Sequence, residues 1–126
     1  MLGSKDVMAT VAVRKLAAAR PFYEQILGLE AVDESQAEHG VVGFKAGSAT
    51  VLVYESPYAG TNQATVLTWA LGEAFDAAVK ALRDKGVAFE FYDMPGTREG
   101  PVHVMGEMRV VWFKDPDGNI VSLGNY

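Results

Sequence analysis

The chain has 126 residues, 49% of them apolar and 21% charged, and a formal net charge of -5 at pH 7. That size and balance suit one ordinary domain, or two small modules, with a real core. The negative charge argues against nucleic acid or an anionic membrane surface as a partner, since both need clustered Lys and Arg. No apolar run reaches the roughly 20 residues of a membrane span, the N-terminal MLGSKDVMA has no apolar signal region, and there is no cysteine for a disulfide, a thiolate metal site or a thiol nucleophile. The expectation is a cytoplasmic, soluble, single-domain protein.

Residues 7–14, VMATVAVR, read as a strand with Val7, Val11 and Val13 on one face and Met8, Thr10 and Ala12 on the other. KLAAARPFYEQILG follows with Leu16, Ala19, Phe22, Tyr23, Ile26 and Leu27 at helical spacing. Pro21 is expected in the first turn, where amide groups lack partners anyway, and Gly28 stops the helix. LEAVDE, HGVVGFKAG and SATVLVYES read as short strands, and SPYAGTNQ as a polar loop and linker.

The order then begins again. ATVLTWAL reads as a strand with Thr65, Leu67 and Trp69 on one face and Val66 and Thr68 on the other. GEAFDAAVKALRDKG is a helix with the stripe Phe75, Val79 and Leu82, ended by Gly86. VAFEFY is a strand, MPGTREGPVHVMGE a loop or irregular hairpin, and MRVVWFK a strand. DPDGN then turns the chain into IVSL, with Pro116 presetting φ and Gly118 suited to the left-handed position of a three-residue hairpin. The pattern is βαβββ twice, an α+β chain with module 1 at about 6–56, a linker at about 57–63 and module 2 at about 64–126.

FYEQILGLE at the end of the first helix and WFKDPDGNIVSL at the last hairpin make the chain resemble the vicinal oxygen chelate superfamily, which includes glyoxalase I, extradiol dioxygenases, fosfomycin-resistance transferases and bleomycin-binding proteins. The resemblance covers nearly the whole chain. It implies two modules forming a curved, mostly antiparallel eight-stranded sheet, helices on the convex side and a concave cavity for a small molecule, and it implies a homodimer. In metal-using members, His or Gln from the first strand and Glu from the last strand of each module hold the cation. The corresponding positions here are Thr10, about Leu52, Thr65 and Ser122. Zinc, iron and manganese sites want imidazole or carboxylate there, so the expectation is no metal and no other cofactor. Glu55 lies near Leu52, but the alternation of a strand sends it to the opposite face.

Other polar residues carry weaker hints. His103 precedes Glu107 by four residues, which on one strand would share a face as a displaced metal pair; His103 alone would be an acid–base group. Gly100, Pro101 and Gly106 around it favour a solvated loop histidine. His39 reads as a turn residue. Glu90 is either a desolvated base, with Tyr92 beside it, or a partly exposed edge carboxylate. Arg98 and Glu99 read as a mobile surface loop, or a lid. Ser122 has no neighbouring base to activate it as a nucleophile. Met8, Leu52, Tyr54, Leu67, Trp69 and Trp112 or Phe113, with Thr10, Thr65 and Ser122 as hydroxyl groups, are either a pocket for a flat or apolar ligand or core that fills the space.

These residues suggest first a metal-free binding protein for a small aromatic or hydrophobic molecule, acting in resistance or sequestration. A second reading is a lyase or dioxygenase using displaced ligands (His103, Glu107, His39), or a metal-free acid–base enzyme using Glu90 or Tyr92. A third is a sheet that serves mainly to assemble a dimer.

Overall fold

The computed structural model describes residues 1–126, which divide into two compact units, Met1–Thr61 and Asn62–Tyr126. Each runs βαβββ in order, and the second has an extra hairpin between its second and third strands. The strands of the first unit are β1 (Ala9–Val13), β2 (Glu30–Asp33), β3 (Val41–Ala46) and β4 (Ala49–Glu55), with helix α1 (Leu16–Pro21) after β1. The second unit holds β5 (Thr65–Ala70), α2 (Phe75–Asp84), β6 (Phe89–Glu90), β7 (Thr97–Glu99), β8 (Val102–Met105), β9 (Met108–Lys114) and β10 (Ile120–Gly124). The architecture is α+β, with ten strands in two mixed sheets. The two strands beyond the eight anticipated, β7 and β8, come from the MPGTREGPVHVMGE stretch.

The four-stranded sheet has the order β1-β4-β3-β2, with β1 and β4 parallel and the remaining pairs antiparallel. Its core face carries Val11, Val13, Val42, Phe44, Val51 and Val53, all buried. Tyr23 stacks on Phe44 at 6.0 Å, which places the α1 segment on that side. Pro21 closes α1 rather than opening it, and Phe22–Ile26 continues as a wider turn in which the Leu27 amide donates to the Phe22 carbonyl at 2.9 Å. Proline has no amide to donate and its ring crowds the preceding turn, so the helix accommodates it by widening.

Glu55 has a structural role that the strand pattern does not reveal. Its Oε2 accepts the Leu16 backbone amide at 2.8 Å, capping α1 from 39 residues away in sequence. We expect Glu55→Ala to cost about 1–2 kcal/mol in chemical denaturation, the usual loss for a helix cap, and Glu55→Gln to recover most of it.

The six-stranded sheet runs β5-β10-β9-β8-β7, with β6 also against β9. On one face Val111, Phe113, Val121, Leu123 and Leu67 are buried, as are Phe75, Val79 and Leu82 of α2. The Arg109 guanidinium, on the same face of β9, lies 5.8 Å from the Phe75 ring centroid, so α2 covers this side. The opposite face carries polar and aromatic groups, among them Trp112, Ser122, Thr68 and His103.

Asp115 organises the turn that feeds β10 into the sheet. Its Oδ1 accepts the Asp117 and Asn119 amides at 2.9 and 2.8 Å, and its Oδ2 accepts Asn119 Nδ2 at 2.8 Å. Gly118 adopts φ +93, the left-handed geometry that the motif calls for. No helix is long and apolar enough to cross a membrane.

Candidate functional site

On the face of the second unit away from α2, strand pairing lines up two rows. Glu90 lies opposite Trp112, Trp112 opposite Ser122 and Ser122 opposite Thr68; beside them, Arg98 lies opposite His103 and His103 opposite Val110. The hydroxyls of Thr68 and Ser122 are hydrogen-bonded at 2.8 Å, and Trp112 Nε1 donates to Thr65 Oγ1 at 3.3 Å. Trp112 packs edge-on against His103 at 4.9 Å and Tyr92 at 5.4 Å.

This arrangement divides the residues anticipated from sequence. Thr65, Trp112 and Ser122 come together. Leu67 is buried on the core face, and Trp69, opposite Leu123, shares its side. The reason is an irregularity in the β5–β10 pairing: Thr65 lies opposite Ile120, but Leu67 lies opposite Val121, so one residue of β5 is skipped. Simple alternation therefore fails across that point, and Thr68, assigned by alternation to the other face from Thr65, is the partner of Ser122. In the first unit, Thr10 lies opposite Leu52 and Ala12 opposite Tyr54, on the side away from the valine core. Thr10, Met8 and Tyr54 are exposed and Leu52 is half-buried.

His103 is not a solvated loop residue. It is 2% exposed, in the middle of β8. Its Nε2 lies 3.1 Å from the Tyr92 amide and 3.2 Å from the Tyr92 carbonyl. A backbone amide can only donate, so the shorter contact assigns Nε2 as acceptor and the ring proton to Nδ1, which is buried without a partner, as is the Tyr92 hydroxyl. A buried polar atom left unpaired costs about 1–3 kcal/mol. Glu107 does not share a strand with His103, because β8 ends at Met105 and the chain turns back through Gly106. His39 ends a short helical turn, Ala37–His39, and is exposed. Glu90 is ion-paired to Lys114 at 3.1 Å.

Arg98 and Glu99 belong to β7, paired with β8 in a hairpin. Gly96 lets the chain pass close over β8: at φ +98, a Cβ there would collide with the Val104 carbonyl. Between this segment and β8 lies a cleft of about 390 Å³ lined by Phe91, Tyr92, Asp93, Thr97, Arg98 and His103, among others. Arg98 sits over the Phe91 ring at 4.5 Å, a cation–π contact. A second cleft, about 290 Å³, adjoins Arg109, whose guanidinium is already shared by Asp76 and Glu99 at 3.6 Å each.

Burial, and secondarily the Glu90 carboxylate, raise the Tyr92 phenol above the ordinary tyrosine value. The folded state therefore holds that proton more tightly than the unfolded chain does. The associated stability is fully present below the unfolded value of about 10 and is lost as pH rises through the higher folded value. Lys114, raised chiefly by its hydrogen bond to Glu90, loses its contribution in the same alkaline range. We expect Tyr92→Phe to melt at or slightly above wild type near pH 7, because it removes an unpaired buried hydroxyl. Above pH 10 the variant's melting temperature should fall less steeply than wild type's, as followed by circular dichroism.

Thr10, Leu52, Thr65 and Ser122 offer neutral hydroxyls and an alkyl group, and so does Thr68. Such groups do not suit zinc, iron or manganese. In neither unit do three or more His, Asp or Glu side chains converge as a metal cluster.

A family model described as the Glyoxalase/Bleomycin resistance protein/Dioxygenase superfamily matches residues 7–123. The chain belongs to that superfamily. Among solved structures it is similar to lactoylglutathione lyase from Agrobacterium tumefaciens, at 21% identity over 96% of this chain and 92% of that one, with a TM-score of 0.72. It is also similar to the fosfomycin resistance protein FosX from Mesorhizobium loti (17% identity, 100% and 94% coverage, TM-score 0.69) and to a glyoxalase/dioxygenase from Nostoc punctiforme (21% identity, 95% and 89%, TM-score 0.68). No curated protein matches the sequence. At these identities the likeness shows the fold alone.

Proposed function

We propose that this superfamily member binds a small flat aromatic or hydrophobic molecule, without a metal, against the Trp112–Ser122 face of its second unit. The observation that carries the reading is the Trp112 indole. It is held by Thr65, bordered by His103 and Tyr92, and lies beside the hydroxyl pair Thr68–Ser122. Aromatic walls with a few hydroxyl groups suit shape-selective binding of a planar ring. In the first unit, Met8, Thr10, Leu52 and Tyr54 are read as ligand-facing on their own sheet. Leu67 and Trp69 support the site from the core side. We read the protein as a cytoplasmic homodimer; β1 and β5 each end their sheet, and an edge strand is a natural place for a second copy to pair.

The test is calorimetric titration with 1-naphthamide, before and after exhaustive chelation. Equal, saturable binding in both states is expected. Binding that vanishes on chelation and returns with a divalent metal overturns the metal-free reading, and no binding in either state overturns the aromatic site.

A second reading, a metal-free acid–base enzyme of the same superfamily, is supported by one observation. The unpaired Tyr92 hydroxyl and His103 Nδ1 belong to stacked rings with centroids 6.4 Å apart. That reading expects chemical conversion of the bound compound, detectable by mass spectrometry, where a pure binder returns it unchanged.

A further inference from the structure

We propose that the cleft between Phe91–Arg98 and β8 binds the carboxylate of a flat organic anion, with Arg98 as its charge partner and His103 Nδ1–H as a neutral donor. The inference rests on the aromatic reading above and adds a chemical class to it. Arg98 and His103 are directly opposite on paired strands, so their side chains leave the same face within reach of one small group. Arg98 is held over Phe91 at 4.5 Å, and no ion pair occupies its guanidinium, in contrast to Arg109 with its two carboxylates. A planar guanidinium fixed on an aromatic face presents its fork of donors to a carboxylate.

His103 supplies the second contact. With Nε2 engaged by the Tyr92 amide, its one free proton is on Nδ1, and that nitrogen has no protein partner. His103 also stands at 4.9 Å from Trp112, so a carboxylate at Arg98 and His103 sets the attached ring towards the indole. Nδ1 is closed off from solvent, and entry therefore displaces part of the exposed 93–100 segment, an induced fit. Asp93 lines the same cleft and opposes an anion there, so the carboxylate is taken at the Arg98 end and its approach is weakened by Asp93.

The experiment compares 1-naphthoate with its neutral isostere 1-naphthamide at pH 7.5, by calorimetry, on the full chain. Wild type should bind naphthoate about tenfold more tightly, the gain of one charge-assisted contact. Arg98→Gln should bring naphthoate to the naphthamide value and leave naphthamide where it was. Asp93→Asn should tighten naphthoate alone. His103→Gln keeps an amide oxygen for the Tyr92 amide but lacks the Nδ1 proton, and should weaken naphthoate more than naphthamide. Equal affinities in wild type, or an Arg98→Gln variant that weakens both compounds alike, overturn the carboxylate site while the aromatic reading stands. Failure of both compounds to bind overturns both.

Discussion

Replacing Asp115 with alanine should lower the unfolding free energy by about 3–4 kcal/mol, measured by urea denaturation. The carboxylate is 4% exposed and accepts three hydrogen bonds within a five-residue turn. Alanine removes the acceptor and strands the Asp117 and Asn119 amides in a region that water does not reach freely. The chain also loses the restraint that sets β9 against β10, where Ser122 stands opposite Trp112. Asp115→Asn is the informative control. It keeps an oxygen for the two backbone amides but sets one NH₂ group against that of Asn119, so we expect roughly half the alanine loss. An alanine variant as stable as wild type would mean that the turn holds without its central acceptor.

The second large effect concerns Trp112. Trp112→Ala should weaken 1-naphthamide binding by up to about tenfold, since an aromatic wall contributes roughly 0.5–1.5 kcal/mol to a bound ring beyond the area it covers. The same change removes the edge contacts to His103 and Tyr92 and should cost about 2–4 kcal/mol of stability. Trp112→Phe separates the two effects. It retains an aromatic wall and gives up the donor to Thr65, so stability should fall little and binding only a few-fold. If Trp112→Ala binds the probe as wild type does, the ligand lies elsewhere.

Much of this fold is legible in the sequence. The repeated βαβββ order, the helix ended by Gly86 and the DPDGN turn each follow from local chemistry: apolar spacing, a left-handed stop and a preset proline φ. Three features are not local, and so were hidden. The skipped residue in the β5–β10 pairing depends on how two distant strands meet, and it moves Thr68 to the face of Ser122 and sends Leu67 into the core. The Glu55 cap on Leu16 joins residues 39 apart, which no strand pattern encodes. His103 is surrounded by glycine and proline in sequence, yet pairing with β7 and β9 buries it. The glycines mark the tight turns around a short strand, and a stretch read as a loop or irregular hairpin is a hairpin that forms the floor of a cleft.

The candidate site was legible in chemical type more than in membership. Thr65 and Ser122 could be anticipated because the resemblance places them at ligand positions, and Trp112, with Phe113 as its alternative, because it stands on the neighbouring strand. The His103–Tyr92 pair could not, since its unpaired atoms arise only from packing. The same holds for Arg98, whose position over Phe91 requires β7 to exist as a strand.

Binding that does not depend on a metal is checked first by elemental analysis with inductively coupled plasma mass spectrometry. The protein should be purified without an affinity tag or chelator and then titrated with zinc, nickel, manganese and iron(II) while its melting temperature is followed. We expect no stoichiometric divalent metal and no thermal shift with any of the four. One metal per chain, or a saturable stabilisation by any of them, would contradict it.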